Sequence, residues 1–370
     1  MRRIAVLAEG RLNIHDAKTA VGVIRYGDDR VVAIVDSTHV GADAGAVLGD
    51  PDGPARGIPV VANVEAALAY HPDTLLIGIA PRGGQLPDEW RPGLLLAIAA
   101  GLEIVSGLHI FLADDPELAA AARRRGVRLW DVRRPPEASA HRIATGKPHR
   151  EGSQVVYFGG TDCNVGKMTV AVEVEREMRR RGLSAAFAAT GQTGIVIAGR
   201  GIPADRYVSD FLAGGAEALV CELADEADWV LVEGQGALGH LAYSAVTLGL
   251  VHGAAPDLLV LCHEAGRRTI RGYDGVPIPP LADVRAMYEM AAGWLKPVRT
   301  VAWALNTYGL GEDEARAAIR AAVAETGLPV ADPVRFGAGP IVEALVAAHR
   351  ASTPPDTRTE MGAAAMAAGE

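Results

Sequence analysis

Residues 154–182, QVVYFGGTDCNVGKMTVAVEVEREMRRRG, set an apolar strand before a glycine-bounded turn and an amphipathic helix. No other stretch constrains the fold as much. A buried strand that runs straight into a helix N-terminus belongs to a parallel α/β sheet. The turn approximates the phosphate-loop pattern GxxxxGK[ST] from Gly160 through Lys167. Its backbone N–H groups from Asp162 to Gly166 are expected to face inward, where the helix dipole adds about half a positive charge. Lys167 supplies an ammonium and is one of only four lysines, with Lys18, Lys147 and Lys296. Gly160, Thr161, Asp162, Cys163, Asn164, Val165, Gly166, Lys167, Met168 and Thr169 are therefore read as a loop that binds a phosphorylated co-substrate.

One letter breaks the pattern. Met168 stands where a hydroxyl would hold the Mg²⁺ that bridges the β- and γ-phosphates in phosphoryl transfer. A thioether is a poor ligand for that hard cation. Thr169 lies about 100° further round the helix and is expected to point elsewhere. Phosphate binding survives the change; phosphoryl transfer is disfavoured.

The chain has 370 residues, more than one hydrophobic core usually serves, so two domains are expected. A net charge of −9 leaves no basic stripe for nucleic acid. The runs AARRRG and MRRRG read as last turns of helices, where cations suit the dipole. Three widely spaced cysteines, Cys163, Cys221 and Cys262, indicate a reducing compartment. The N-terminal apolar stretch is too short for a signal peptide, and the apolar run from Gly93 carries Glu103 and His109, so no membrane span is expected. A cytoplasmic protein, associated as a homo-oligomer, is the expectation.

Strand-like runs at 30–37, 57–62, 73–80, 103–108 and 127–132 alternate with helical ones. They predict an N-terminal Rossmann-like parallel-sheet domain over 1–135, although GxGxxG is absent. A Pro- and Arg-rich linker follows at 136–153. Strands at 154–160, 184–190, 227–234, 257–262 and 300–306 predict a P-loop NTPase-like α/β domain over 154–350. The tail, 351–370, has too little apolar pattern to pack and is expected to be mobile.

Other candidates sit at strand ends, which line the ligand crevice in open parallel sheets. Glu233 closes ADWVLVEG and is read as metal ligand or general base; a solvated turn acid is the bland reading. His240, six residues on, is read as orienting substrate or moving protons, against a structural histidine. Thr190, Gln192 and Thr193 form a turn whose hydroxyls and amide suit a substrate carboxylate. Asp210 opens an Ala-rich helix as substrate partner or dipole partner. Arg268, in CHEAGRRTIRG, is a fork for a carboxylate or phosphate, or a solvated surface group. Asn306 sits where related folds read a purine. Cys163 is admissible as an acyl-accepting thiol, but no histidine pairing is visible. No CxxC or HExxH spacing is present, so no metal is expected.

GTDCNVGKMT, ATGQTG, VSDF, VEGQGAL and the N-terminal DAKTAVGVIRYG together resemble a P-loop-fold family long catalogued as a domain of unknown function. Its characterised members are D-glutamate N-acetyltransferases. The resemblance runs over roughly residues 1–350 and implies acetyl transfer from acetyl-CoA to the amino group of a D-amino acid, D-glutamate first, in D-amino-acid catabolism. The loop is also similar to the GTDTxVGKT of dethiobiotin synthetase. Under the first resemblance Glu233 is the expected base, with Lys167 and the loop amides on phosphate or oxyanion. A second reading is an ATP-dependent ligase or kinase using Mg²⁺, and a third is a nucleotide-sensing module without turnover.

Overall fold

The computed structural model describes residues 1–352 apart from His15, Ala80, Arg82, Gly83, Pro136, residues 138–141, Lys147 and Pro148. The expected tail beyond residue 352, and part of the expected linker, lie outside the described residues.

Six short strands build the first sheet: β1 (Arg3–Leu7), β2 (Arg30–Val35), β3 (Val60–Val61), β4 (Thr74–Ile77), β5 (Glu103–Ser106) and β6 (Leu129–Asp131). All pair in parallel, in the order β3-β2-β1-β4-β5-β6. This is the Rossmann order, with its reversal point between β1 and β4. The N-terminal IAVL run, read in the sequence only as too short for a leader, is the central strand of this sheet. Helix punctuation follows local chemistry. Asn63 caps the helix Val64–Leu68 through the Ala66 amide, and Asp115 caps Pro116–Arg125 through Glu117 and Leu118. Gly101 ends the helix Arg91–Ala100 in the left-handed region, with φ of 92°.

The second sheet contains β7 (Gln154–Gly160), β8 (Ala185–Ala188), β9 (Trp229–Glu233), β10 (Leu258–Glu264), β13 (Arg299–Asn306) and β14 (Val330–Ala331). Its order is β14-β13-β10-β7-β9-β8, again parallel throughout. A small hairpin, β11 (Thr269–Ile270) with β12 (Tyr273–Pro277), stands apart. Both faces of the sheet are covered, so β7 reads as a continuous apolar run instead of an alternating one. Alternation shows instead in the partners: Val156 and Phe158 join one core, Val155 and Tyr157 the other.

The halves are docked through the helix Lys18–Tyr26. The Thr19 and Thr193 hydroxyls lie 2.9 Å apart in the buried contact, and the Tyr26 hydroxyl donates to Glu173 at 2.7 Å. No helix among the described residues is long and apolar enough to cross a membrane.

Candidate active site

The carboxyl ends of both sheets face one cleft of about 780 Å³. The first sheet contributes Lys18, Arg25 and Tyr26 after β1, His109 after β5 and Arg133 after β6. The second contributes the loop after β7, the turn after β8 and Glu233 to Gly236 after β9. Ligand crevices of open α/β sheets sit at this edge, and here two such edges meet. The lining carries the cations Lys18, Arg25, Arg133 and Lys167 against the acids Asp205 and Glu233, in a chain whose net charge is −9.

The loop after β7 is one residue longer than GxxxxGK, because five residues, Thr161 to Val165, separate Gly160 from Gly166. Asn164 takes a left-handed φ of 57°, and Gly166 takes 102° at the start of the helix Lys167–Arg180. These two turns let the loop double back before the helix begins. Cys163, Asn164, Gly166, Lys167, Met168 and Thr169 line the cleft. Gly160, Thr161, Asp162 and Val165 are not among the lining residues; they hold the loop in shape. Gly160 exchanges hydrogen bonds with the Tyr288 hydroxyl, Thr161 bonds His263 at 2.9 Å, and Val165 is buried.

Asp162 is fully buried and turned to the loop after β10. It accepts from Arg267 at 3.0 Å, from the Arg271 amide at 2.8 Å and from the Cys163 amide at 2.7 Å. The Cys163 amide therefore does not face a ligand as the sequence suggested. The amides of Asn164, Val165 and Gly166 have no partner among the described residues and remain as donors. Asp162, Cys163 and His240 bring potential ligand atoms within 4.8 Å of one another. The Arg267 guanidinium already neutralises that carboxylate, in the role a bound cation would play.

The buried Lys167 ammonium donates to the Asp162 carbonyl at 2.6 Å, and burial lowers its pKa. Lys18 reaches across from the first half to the Asn164 side-chain oxygen. Burial, then the nearby Arg271, lowers Lys18 to about 8. Burial raises the Cys163 thiol despite Lys167 and Lys18 beside it, which opposes a resting thiolate nucleophile. Thr169 lines the cleft beside Met168, contrary to the expectation that it points away. Gly166, Lys167, Met168 and Thr169 all line the cleft, so the first turn presents more than one side.

Glu233 ends β9 opposite Phe158 of β7, one strand from the loop. One of its oxygens accepts from the amides of Thr190 and Gly191, at 2.9 and 3.1 Å, and the other from Gln235 at 3.0 Å. Burial nonetheless raises the carboxyl to about 7, the hydrogen bonds and Lys167 offsetting only part of it. Glycine is needed at two neighbours. A Cβ on Gly194 would lie 2.6 Å from Glu233, and one on Gly191 would lie 2.7 Å from Gln235.

The remaining sequence candidates divide. Gln192 and Thr193 line the cleft, whereas Thr190 supports Glu233 from behind, its hydroxyl donating to the Glu233 carbonyl at 2.6 Å. His240 is buried outside the lining, stacked on Tyr243 with ring centroids 4.6 Å apart. Asp210 is an exposed first-turn acid on the helix Ser209–Glu226, and Arg268 is exposed; neither lines the cleft. Asp205, five residues before Asp210, lines the cleft, and Arg267, beside Arg268, bonds the loop at Asp162 from behind. Asn306 accepts from the Tyr308 amide at 3.0 Å and lies outside the lining. Sequence reasoning missed Lys18, His109, Arg133 and Gln235 as site residues. The signal for Lys18 was present in DAKTAVGVIRYG, and for Gln235 in VEGQGAL.

The chain matches two models of domains of unknown function: a Rossmann-like DUF1611_N domain at residues 37–135 and a P-loop DUF1611_C domain at residues 142–342. It is 40% identical over 332 residues to a D-glutamate N-acetyltransferase of Tritonibacter scottomollicae, covering 90% of this chain and 94% of the relative. It is 36% identical over 273 residues to a D-glutamate N-acetyltransferase of a Pseudoalteromonas species, covering 74% and 81%. A crystal structure of a DUF1611 family protein from Anabaena variabilis superposes with a TM-score of 0.86 at 37% identity, over 94% of this chain and all of that one.

Proposed function

The chain belongs to the DUF1611 family, and we propose that it is an N-acetyltransferase that moves the acetyl group of acetyl-CoA to the amino group of D-glutamate. The observation that carries the reading is the juxtaposition, in one cleft, of a P-loop turn with Met168 in place of the usual hydroxyl and a buried carboxylate poised near neutrality. The names of the two relatives support the same reaction.

The donor set suits coenzyme A. Free amides at Asn164 to Gly166, the helix N-terminus, Lys167 and Lys18 match polyanionic phosphate without a cation ligand. Met168 offers apolar surface at the same place. Glu233 takes a proton from the substrate ammonium, and a base whose pKa lies near the working pH is the efficient one. The freed amine attacks the thioester carbonyl; the C–N bond forms, the C–S bond breaks, and the departing thiolate takes the further proton that the nitrogen sheds in becoming an amide. Thr190, Gly191 and Gln235 fix the carboxylate in place, which keeps the base and amine in register. Cytoplasmic location and a role in D-amino-acid catabolism follow as part of the same proposal.

Thr169 at the cleft is the one observation that favours an ATP-dependent ligase or kinase, since its hydroxyl is a candidate Mg²⁺ ligand. One experiment separates the two. The protein is incubated with D-glutamate and acetyl-CoA, beside tubes holding L-glutamate or ATP–Mg²⁺, and products are weighed by mass spectrometry. A product about 42 Da heavier, one acetyl replacing hydrogen, in the first tube is expected. ADP formation that requires the amino acid, with no acetylated product, would overturn the proposal.

A further inference from the structure

We propose that Arg133 is the residue that binds a carboxylate of the amino-acid substrate; the inference rests on the acyl-transfer reading. Arg133 follows β6, at the carboxyl edge of the first sheet, and is 6% exposed although it lines the cleft. Its Nε donates to the Gly107 carbonyl at 2.6 Å, and one terminal nitrogen pairs with Asp205 from the other half. The second terminal nitrogen has no partner among the described residues. A buried guanidinium with donors to spare is costly unless an anion completes it. Burial and the nearby Arg206 lower it to about 10, so it stays charged at neutrality with one terminal nitrogen open to an anion. His109 and Gln192 line the cleft at the same end, Gln192 packing so closely on Gly107 that a Cβ there would lie 3.1 Å from it.

Strand order says which anion. Lys18 follows β1 and Arg133 follows β6, three strand spacings away, about 14 Å. In the second sheet the order runs from the phosphate loop after β7, through Glu233 on β9, to the turn after β8. Glu233 thus lies between the phosphate end and the Arg133 end. A substrate whose amine meets Glu233 with the donor's phosphates on one side places its carboxylate on the other. The planar fork of arginine matches a carboxylate, and Arg133 and Arg206 together, less the Asp205 counter-charge, leave one positive charge for a monoanion.

The test measures D-glutamate affinity by titration calorimetry and steady-state KM for D-glutamate and acetyl-CoA separately, in the full chain and in Arg133→Gln and Asp205→Asn. Arg133→Gln is expected to weaken D-glutamate by about 10- to 100-fold, with KM for acetyl-CoA unchanged. Asp205→Asn, at a half-exposed position, removes the competing carboxylate and is expected to tighten D-glutamate while leaving acetyl-CoA alone. It keeps the inference testable if Arg133→Gln does not fold. A rise confined to the acetyl-CoA KM would assign the anion to the donor and overturn the inference, as would unchanged D-glutamate affinity in both variants. Arg133-dependent D-glutamate binding by a chain that does not acetylate would support this inference while overturning the acyl-transfer reading. A chain that does not bind D-glutamate overturns both.

Discussion

At Glu233, burial pushes the carboxyl up to about 7 while three hydrogen bonds and Lys167 pull it down. Between its ordinary value of 4.5 and about 7, the folded chain holds a proton that the unfolded chain has released. Folding stability therefore falls as pH rises through that window. Glu233→Gln is expected to flatten this slope, so that the variant gains on the wild type between pH 5 and pH 7.5 in denaturant unfolding; parallel slopes in the two proteins would contradict it. Lys18 has the same pH sense, toward ligand. It is charged below about 8, so donor affinity is expected to fall as pH rises through that value. Lys18→Met should raise the KM for acetyl-CoA about tenfold and remove the pH limb, as loss of one charge-assisted contact requires.

Among elements, the helix Lys167–Arg180 is the one whose first turn decides the chemistry. If no metal acts there, Met168→Ser leaves acetyl transfer within about twofold and EDTA does not inhibit it; a large gain in ATP hydrolysis in that variant would point to latent phosphoryl chemistry. Elements buried on both faces were the legible ones. The runs at β7, β9, β10 and β13 are long, apolar and bounded by turns, and the sequence places them to within a residue or two. The two-residue strand β14 and the exposed hairpin β11–β12 carry too little pattern to separate them from loop, whereas β3 fell inside the apolar run read at 57–62. β1 was hidden because its five residues resemble the start of many chains. Within the site, the loop and Glu233 were readable because their chemistry is local. Arg133 and His109 were not, since they enter the cleft through the packing of one sheet edge on another, which no periodicity encodes; Lys18 enters the same way, and its only signal was the motif DAKTAVGVIRYG. Asp210 and Arg268 show the complementary error: the right segments were chosen, but Asp205, in the turn before the helix, lines the cleft, and Arg267 is the arginine that bonds the loop.

At the scale of the whole molecule the cleft exists only while the two halves stay docked. Gly22 is at the closest point: a Cβ there would meet Thr193 Cγ2 at 2.6 Å, beside the hydroxyl pair of Thr19 and Thr193. Gly22→Ala is expected to cost about 1–3 kcal/mol by overpacking and to lower kcat/KM, read from denaturant unfolding and initial rates on the same preparation. Unchanged values in both would mean that the docking contact yields easily and does not hold the site. On the acyl-transfer reading both halves bring an acyl donor to one carboxylate base. The decisive measurement is the pH dependence of kcat/KM for acetylation of D-glutamate, in wild type and Glu233→Gln. A rising limb near pH 7 in the wild type, and a loss of about 10²- to 10⁴-fold without that limb in the variant, is predicted. Full activity in Glu233→Gln, with the limb intact, would contradict it.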